Sequence, residues 1–278
     1  MPELPEVETI RRSLVPLIKG YEIIKTDIFH PDVLINAGKR PLRGWLITDL
    51  RRRGKYLLID LINTNKKHSG ALLMIHFRMT GKLLHRTEEI VPTKHTHIRF
   101  HLQGPTKSWL DFEDVRRFGR IWLLAAFGER ENPGLAGLGP EPLSEDWTYQ
   151  SFREKIQRRK TSIKATLLDQ TVVAGIGNIY GDEALFLAGI NPQRKASSLS
   201  PEETIKLQDA VRFVLTDGIG HRGTSFRDYV DGLGGKGYFQ QFLKVYQREG
   251  QKCAICGNQI VKKKVAGRGT HFCPHCQK

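Results

Sequence analysis

Pro133-Gly-Leu-Ala-Gly-Leu-Gly-Pro-Glu-Pro142 decides how this 278-residue chain divides. Three glycines and three prolines in ten residues disfavour both helix and strand, so the stretch predicts a linker. Upstream of it, short β-rich runs follow one another at residues 22–29, 42–50, 56–62, 71–77, 97–103, 108–112 and 121–126. No helical crossover separates them, which predicts a sandwich or barrel rather than a parallel sheet. One helix precedes them: Leu4, Val7, Ile10, Leu14, Leu17 and Ile18 recur at helical spacing, with Pro2 expected in the tolerant first turn. Downstream the pattern turns helical over 152–156, 164–169, 182–188 and a segment opening at Ser200. There Ser200-Pro-Glu-Glu203 combines an N-cap serine, a first-turn proline and a glutamate three residues on. The expected fold is therefore α+β and multidomain. A β-sandwich with a leading helix occupies 1–131, a linker 132–147, a helical domain 148–243 and a cysteine-bearing tail 244–278.

Charge narrows the partners. Lys and Arg number 44 against 29 Asp and Glu, and this excess of +15 predicts a polyanionic partner. A membrane surface could attract the same charge. However, no apolar run is long enough to span a bilayer, and no signal-peptide pattern opens the chain. Nucleic acid is the expected partner, no membrane partner is expected, and a cytoplasmic monomer acting on the nucleoid fits the composition. The tail is the most basic region, with eight Lys or Arg against one Glu over residues 244–278.

All four cysteines lie in that tail. Cys253-x2-Cys256, sixteen residues, then Cys273-x2-Cys276 has the spacing of a four-thiolate zinc site, each pair supplying two ligands from one turn. Two disulfides or a redox pair is the other reading of the same cysteines. His271 and His275 are also possible ligands, but four cysteines already complete a tetrahedron, which makes one structural zinc the expected cofactor. Between the pairs, Arg268 is flanked by Gly267 and Gly269. A turn there presents its guanidinium at a hairpin tip, where it can fork onto phosphate oxygens or remain a solvated surface group.

The amino terminus carries a second chemical possibility. With Met1 removed, the ring nitrogen of Pro2 becomes a secondary amine, and an α-amino group titrates low enough to be partly neutral and nucleophilic at neutral pH. A helix N-terminus disfavours its protonation further, and Glu3 and Glu6 are placed to manage protons. Taken alone, Pro2, Pro5 and the glutamates also make a good helix start.

Set beside the cysteine tail, Met1-Pro-Glu-Leu-Pro-Glu-Val-Glu-Thr9 resembles the formamidopyrimidine-DNA glycosylase family. The likeness extends through Arg52-Arg-Gly-Lys-Tyr56, His76-Phe-Arg-Met-Thr-Gly81, Asp114-Val-Arg-Arg-Phe-Gly119, Gln170-Thr-Val-Val-Ala-Gly-Ile-Gly-Asn-Ile-Tyr180 and the Arg268 hairpin. The resemblance implies a β-sandwich with a leading helix, a helix-two-turn-helix domain and a zinc-finger hairpin. It also implies a bifunctional glycosylase and lyase of base excision repair. Pro2 would attack C1′ of an oxidised purine nucleoside and form an iminium, with Glu3 as the proton donor for ring opening. Lys55 and Arg268 match the residues associated with β- and δ-elimination. Met79, Arg116 and Phe118 match the side chains that fill the space left by the extruded base. His76, His95, Arg159 and Asn178 match further DNA contacts, and base recognition falls to the loop over 222–236. Thr80 stands where family members differ, which leaves lesion contacts there open.

The opening Pro-Glu-Leu-Pro-Glu favours the branch that acts on 8-oxoguanine and formamidopyrimidines over the endonuclease VIII branch, which prefers oxidised pyrimidines. A non-enzymatic zinc-ribbon damage sensor would share the charge and the cysteines but leaves the Pro2 context unexplained. The expected DNA is a duplex containing an oxidised base or an abasic site.

Overall fold

The computed structural model describes residues 1–36, 40–65, 69–126, 128–129 and 132–278. Residue 131, where the β-rich part is expected to end, lies outside the described residues. The chain forms two compact units: Met1–Ala136 with His221–Tyr238, and Gly137–Gly220 with Phe239–Lys278. Residues 221–238, which the sequence division places in the helical domain, thus cluster with the first unit.

The first unit opens with α1 (Leu4–Ile18), whose Leu4, Val7, Ile10, Leu14 and Ile18 are all buried at the spacing of a single helix face. Glu3 is the N-cap, and a capping box closes between Glu3 and Glu6. The first-turn proline is Pro5, and Pro2 lies ahead of the cap, outside the turn expected for it. The capping box explains the shift, because it fixes the helix start at Leu4.

Among the described residues nine strands follow: β1 (Glu22–Ile28), β2 (Leu34–Ile35), β3 (Trp45–Arg53), β4 (Tyr56–Asn63), β5 (Gly70–His76), β6 (Gly81–Arg86), β7 (Thr96–Gln103), β8 (Lys107–Asp114) and β9 (Arg120–Ala125). Seven coincide with the expected runs, their ends shifted by a few residues. β2 has two residues, too few for an alternation, and β6 begins at a glycine and contains no β-branched or aromatic residue, so neither is visible in the pattern. The ladder order is β2-β9-β5-β4-β3-β1-β7-β8-β6. β1 belongs to both arms: it pairs with β3 through Glu22 and Ile23 and with β7 along its length, with a register shift between Ile23 and Lys25. Inward side chains of both arms, such as Ile59 and Ile75 on one and Phe100 and Phe112 on the other, share one core with α1, as in a sandwich. The breaker-rich stretch is not wholly irregular. Asn132 accepts from Gly134 N (2.9 Å) and caps the single helical turn α2 (Pro133–Ala136), where Pro133 takes the first position.

In the second unit α3 (Tyr149–Gln157), α4 (Ile163–Leu168), α5 (Asn178–Leu187) and α6 (Pro201–Gly220) precede the hairpin β10 (Val261–Val265) and β11 (Arg268–Phe272). Thr148 and Ser162 cap α3 and α4. At α6 the capping box anticipated from the sequence forms as read: Ser200 N donates to Glu203 Oε2 (2.8 Å) and Glu203 N to Ser200 Oγ (3.2 Å). Trp147, at the end of the expected linker, is a core residue. Its carbonyl accepts from Gln208 Nε2 (2.7 Å) and from Arg212 (2.8 Å).

α5 organises this unit with three polar side chains. Asn178 Nδ2 donates to Gly269 O (3.0 Å), and Asp182 accepts from His271 N (2.9 Å). Residues four apart on the helix therefore hold alternate residues of β11, and the two periodicities match because both pairs lie on one face. Asp182 also pairs with the fully buried Lys164 ammonium of α4. Glu183 accepts from the backbone amides of Lys244, Val245 and Tyr246 at 2.8–2.9 Å. Burial pushes its carboxyl upward, against these three amides, which favour the charged form.

Replacing Asp182 by Ala takes this partner from a buried ammonium and frees the His271 amide. The expected cost is about 3–5 kcal/mol in unfolding free energy, read by denaturant titration. A loss below about 1 kcal/mol, the level of an exposed pair, would remove the pair from the list of forces holding this unit.

Candidate active site and DNA-binding residues

At the start of the chain Pro2 is buried and Glu3 is 3% exposed. Glu3 N donates to Glu6 Oε2 (2.8 Å), and Glu6 Oε1 accepts from Thr224 N (2.7 Å). A Cβ on Gly223 would stand 2.8 Å from Glu6 Oε1, and its φ of +79° suits glycine, so only glycine lets the backbone reach the carboxylate there. Tyr229 Oη donates to Arg222 O (3.0 Å), Gly232 N to Ser13 Oγ (2.9 Å) and His85 N to Gly232 O (2.8 Å). The glycine-rich segment 221–238 is thereby held against α1 and β6. Met1 precedes Pro2, so the ring nitrogen is an amide until Met1 is removed.

Lys55 lies in the two-residue turn joining β3 and β4 and is buried. Its charge reaches His76. Burial first, then the charges of Arg78 and Lys55, depress the His76 imidazole to about 3, so it is neutral at pH 7. Arg78 N donates to His76 Nδ1 (3.1 Å), which places the ring proton on Nε2 and leaves that nitrogen a donor. Tyr56 packs edge-on against the ring at 4.7 Å.

Met79, Arg116 and Phe118 stand on two loops, and neither apolar residue is in the core. Met79 is 44% and Phe118 50% exposed, which sets both apart from ordinary packing residues. The Arg116 guanidinium lies over the Phe118 ring at 4.6 Å. His95 is half-buried, and its carbonyl accepts from Asp114 N (3.0 Å). Asp114 itself, 1% exposed, escaped the sequence reading. The only sign of it there was its place at the head of the Asp114–Gly119 motif.

In the second unit Arg159 pairs with Asp169 (3.0 Å) and lies 3.3 Å from Thr171 Oγ1. Asn178, at the first position of α5, uses Nδ2 on Gly269, while its buried Oδ1 has no hydrogen-bond partner among the described residues. Arg268 is exposed and closes the hairpin opposite Val265. Ala266 and Gly267 form the two-residue turn with φ of +49° and +75°, the conformation that follows the twist of a hairpin.

The four cysteine Sγ atoms lie within 4.8 Å of one another, with Cys253–Cys276 at 3.9 Å and Cys256–Cys273 at 3.5 Å. A tetrahedron of thiolates at about 2.3 Å from zinc has edges of about 3.8 Å, so the donors fit that ion. Ile255 N and Cys276 N point at Cys253 and Cys273 Sγ, both at 3.4 Å. No disulfide joins the four. His271 faces Asp182 instead of the sulfurs. The site is closed, and the zinc it holds is structural.

Three family models match in chain order: the formamidopyrimidine-DNA glycosylase N-terminal domain over residues 1–121, the formamidopyrimidine-DNA glycosylase H2TH domain over 138–229, and the zinc finger found in FPG and IleRS over 250–278. A formamidopyrimidine-DNA glycosylase of Heliobacterium modesticaldum is 48% identical, with all of both chains covered. That of Pelotomaculum thermopropionicum is 44% identical over 100% of this chain and 99% of its own. Among solved structures, wild-type Lactococcus lactis Fpg bound to DNA containing N7-benzyl-Fapy-dG superimposes with a TM-score of 0.90 at 38% identity, covering 100% of each chain. The same enzyme with abasic-site DNA gives 0.89 at 38% identity, covering 99% of each. It has also been solved with DNA containing an oxidised pyrimidine, again at 0.89 and 38%, with 100% of each chain covered. The chain belongs to the formamidopyrimidine-DNA glycosylase family.

Proposed function

We propose that this protein is a bifunctional DNA glycosylase and abasic-site lyase of base excision repair that removes 8-oxoguanine and formamidopyrimidines from duplex DNA. The observation that carries the reading is the buried start of the chain, where Pro2 lies ahead of the N-cap of a helix whose first turn is locked by Glu6.

Freed of Met1, the Pro2 amine attacks C1′ of the damaged nucleoside, and the C1′ bond to the base breaks. Glu3 delivers the proton that assists opening of the sugar ring. The iminium that forms acidifies the 2′ proton, whose loss drives β-elimination, so one covalent intermediate serves both base removal and strand cleavage. Lys55 and Arg268 take the roles in β- and δ-elimination that their motifs imply. C1′ is reachable only when the base has left the stack. Met79, Arg116 and Phe118 fill the vacated space, and their exposure on loops supports that role.

His76 donates through Nε2–H to the DNA backbone as a neutral group, and His95, Arg159 and Asn178 add further backbone contacts. The four-cysteine zinc holds the hairpin that presents Arg268. Net charge of +15 supports a duplex as partner, and no helix among the described residues is long and apolar enough to cross a membrane. The protein acts as a monomer on nucleoid DNA in the cytoplasm. The endonuclease VIII-like reading has one observation in its favour, the Lactococcus lactis relative solved with an oxidised pyrimidine.

Incubation with a duplex carrying 8-oxoguanine opposite cytosine, followed by borohydride, is expected to trap a covalent adduct. Protein that retains Met1 should bind the same duplex with unchanged affinity and trap none. An adduct from verified Met1-bearing protein would exclude Pro2 as nucleophile, and intact binding without any adduct from the mature protein would favour a sensor. Paired duplexes differing only in the damaged base, purine or pyrimidine, establish the lesion range.

His76 also predicts a pH dependence. Its folded value near 3 lies below its ordinary 6.5, so the unfolded chain binds the extra proton as pH falls through 6.5. The stability this group confers is complete above pH 6.5 and is lost progressively toward pH 3, at up to about 1.4 kcal/mol per pH unit. His76→Gln should flatten that part of the stability curve measured by urea unfolding between pH 7 and 4. An unaltered slope would show that the imidazole protonates within the fold.

A further inference from the structure

The two loops that carry Met79 and Phe118 share a topological property. β5 and β9 are neighbours on one arm of the sheet, and β6 and β8 are neighbours on the other. The chain therefore steps from one arm to the other twice, through residues 77–80 between β5 and β6 and through 115–119 between β8 and β9. One buried carboxylate joins the two crossings. Asp114 Oδ1 accepts from the Thr80 hydroxyl of the first loop and from Arg116 N (3.1 Å) of the second, and Oδ2 accepts from Gly119 N (2.7 Å). Its backbone is held as well: Asp114 N donates to His95 O, and Asp114 O lies 2.6 Å from His97 Nε2. Gly119 is required for the approach, since a Cβ there would stand 2.7 Å from Phe112 Cζ and 3.1 Å from Asp114 Oδ2.

Each loop also contains a residue in the left-handed region, Arg78 at φ +52° beside Met79 and Arg117 at +54° between Arg116 and Phe118. Non-glycine residues rarely adopt this conformation and keep it only when their surroundings impose it. Arg78 is tied by its amide to His76 Nδ1, and Arg117 by its amide to Asp114 O (3.3 Å). The polar contacts thus maintain two strained turns whose outward residues are the exposed Met79 and Phe118.

From this geometry we propose that Thr80 and Asp114 are positioning residues for base extrusion: their hydrogen bond locks Met79 to Arg116 and Phe118 as one rigid wedge. The proposal rests on the reading that these three side chains enter the base stack, and it gives Thr80 a role that does not involve touching the lesion. Its hydroxyl is directed into the protein and Thr80 is 9% exposed. Only a side chain with a hydroxyl at that point can donate to Asp114 without filling the space differently, so serine should serve and valine, equal in shape, should not.

The test uses the full-length mature protein with Thr80→Val, Thr80→Ser, Met79→Ala and the Thr80→Val/Met79→Ala double variant. Single-turnover base excision from an 8-oxoguanine duplex is compared with cleavage of a duplex carrying a preformed abasic site, which has no base to extrude. For Thr80→Val the ratio of the first rate to the second should fall about tenfold, the size of one buried hydrogen bond to a charged group. Thr80→Ser should restore it, and the double variant should be no slower in excision than Met79→Ala alone. Equal slowing on both substrates, independent multiplication of the two effects, or no effect of Thr80→Val would overturn the brace. Excision unchanged by Met79→Ala would instead remove the wedge reading itself, and the brace would fall with it. Thermal unfolding of each variant identifies any that fails to fold, and if Thr80→Val does, Thr80→Ala, which also removes the hydroxyl, carries the same comparison against Thr80→Ser and wild type.

Discussion

Glu6 is 1% exposed, and a carboxylate sealed that far from water is tolerable only when its oxygens are answered by donors. Its donors include two backbone amides, Glu3 N beside it and Thr224 N, which is 218 residues away in sequence. One side chain therefore joins the first turn of α1, just behind the buried Pro2 and Glu3, to the 221–238 segment. It also dictates glycine at 223. The start of the chain is tied down by this contact, where a terminus without such a tie frays.

The second unit answers a comparable demand with α5. Asn178, Asp182 and Glu183 are buried or half-buried polar side chains on a helix of otherwise apolar character, and each is spent on backbone outside the helix. Two of them hold β11 next to Arg268 and the third holds the chain that leads into the cysteine module. The hairpin is thus fixed from one side by helix side chains and from the other by four sulfurs within tetrahedral reach of one ion. Metal and helix act on the same short ribbon, which by itself would be too small to be stable.

Features encoded over a few neighbouring residues were legible in the sequence. The cysteine spacing, the Ser200 capping box, seven of the strands and the Gly-flanked turn at Arg268 all fall in this class, since each depends on residues that are close along the chain. What escaped is non-local. β2 and β6 exist because partners across the sheet accept them, and residues 221–238 belong with the first unit because of contacts with Glu6, Ser13 and His85. Met79 and Phe118 would pass for core residues by type alone, and only their place on crossing loops exposes them. Thr80 and Asp114, 34 positions apart, are ordinary residues until a crossing loop and the end of β8 bring hydroxyl and carboxylate together.

Those crossing loops have a mechanical meaning. Their shape is imposed by two arms of sheet and a shared acid, so their own length contributes little give. When a stiff object is pressed against a flexible one, the flexible one deforms, and if these loops enter the base stack as proposed, the yielding partner is the double helix. The work of distortion then depends on how firmly the local base pair resists, and pairs already loosened by chemical damage give way first. Discrimination of this kind would begin in the elasticity of the DNA, before any atom of the altered base has been inspected.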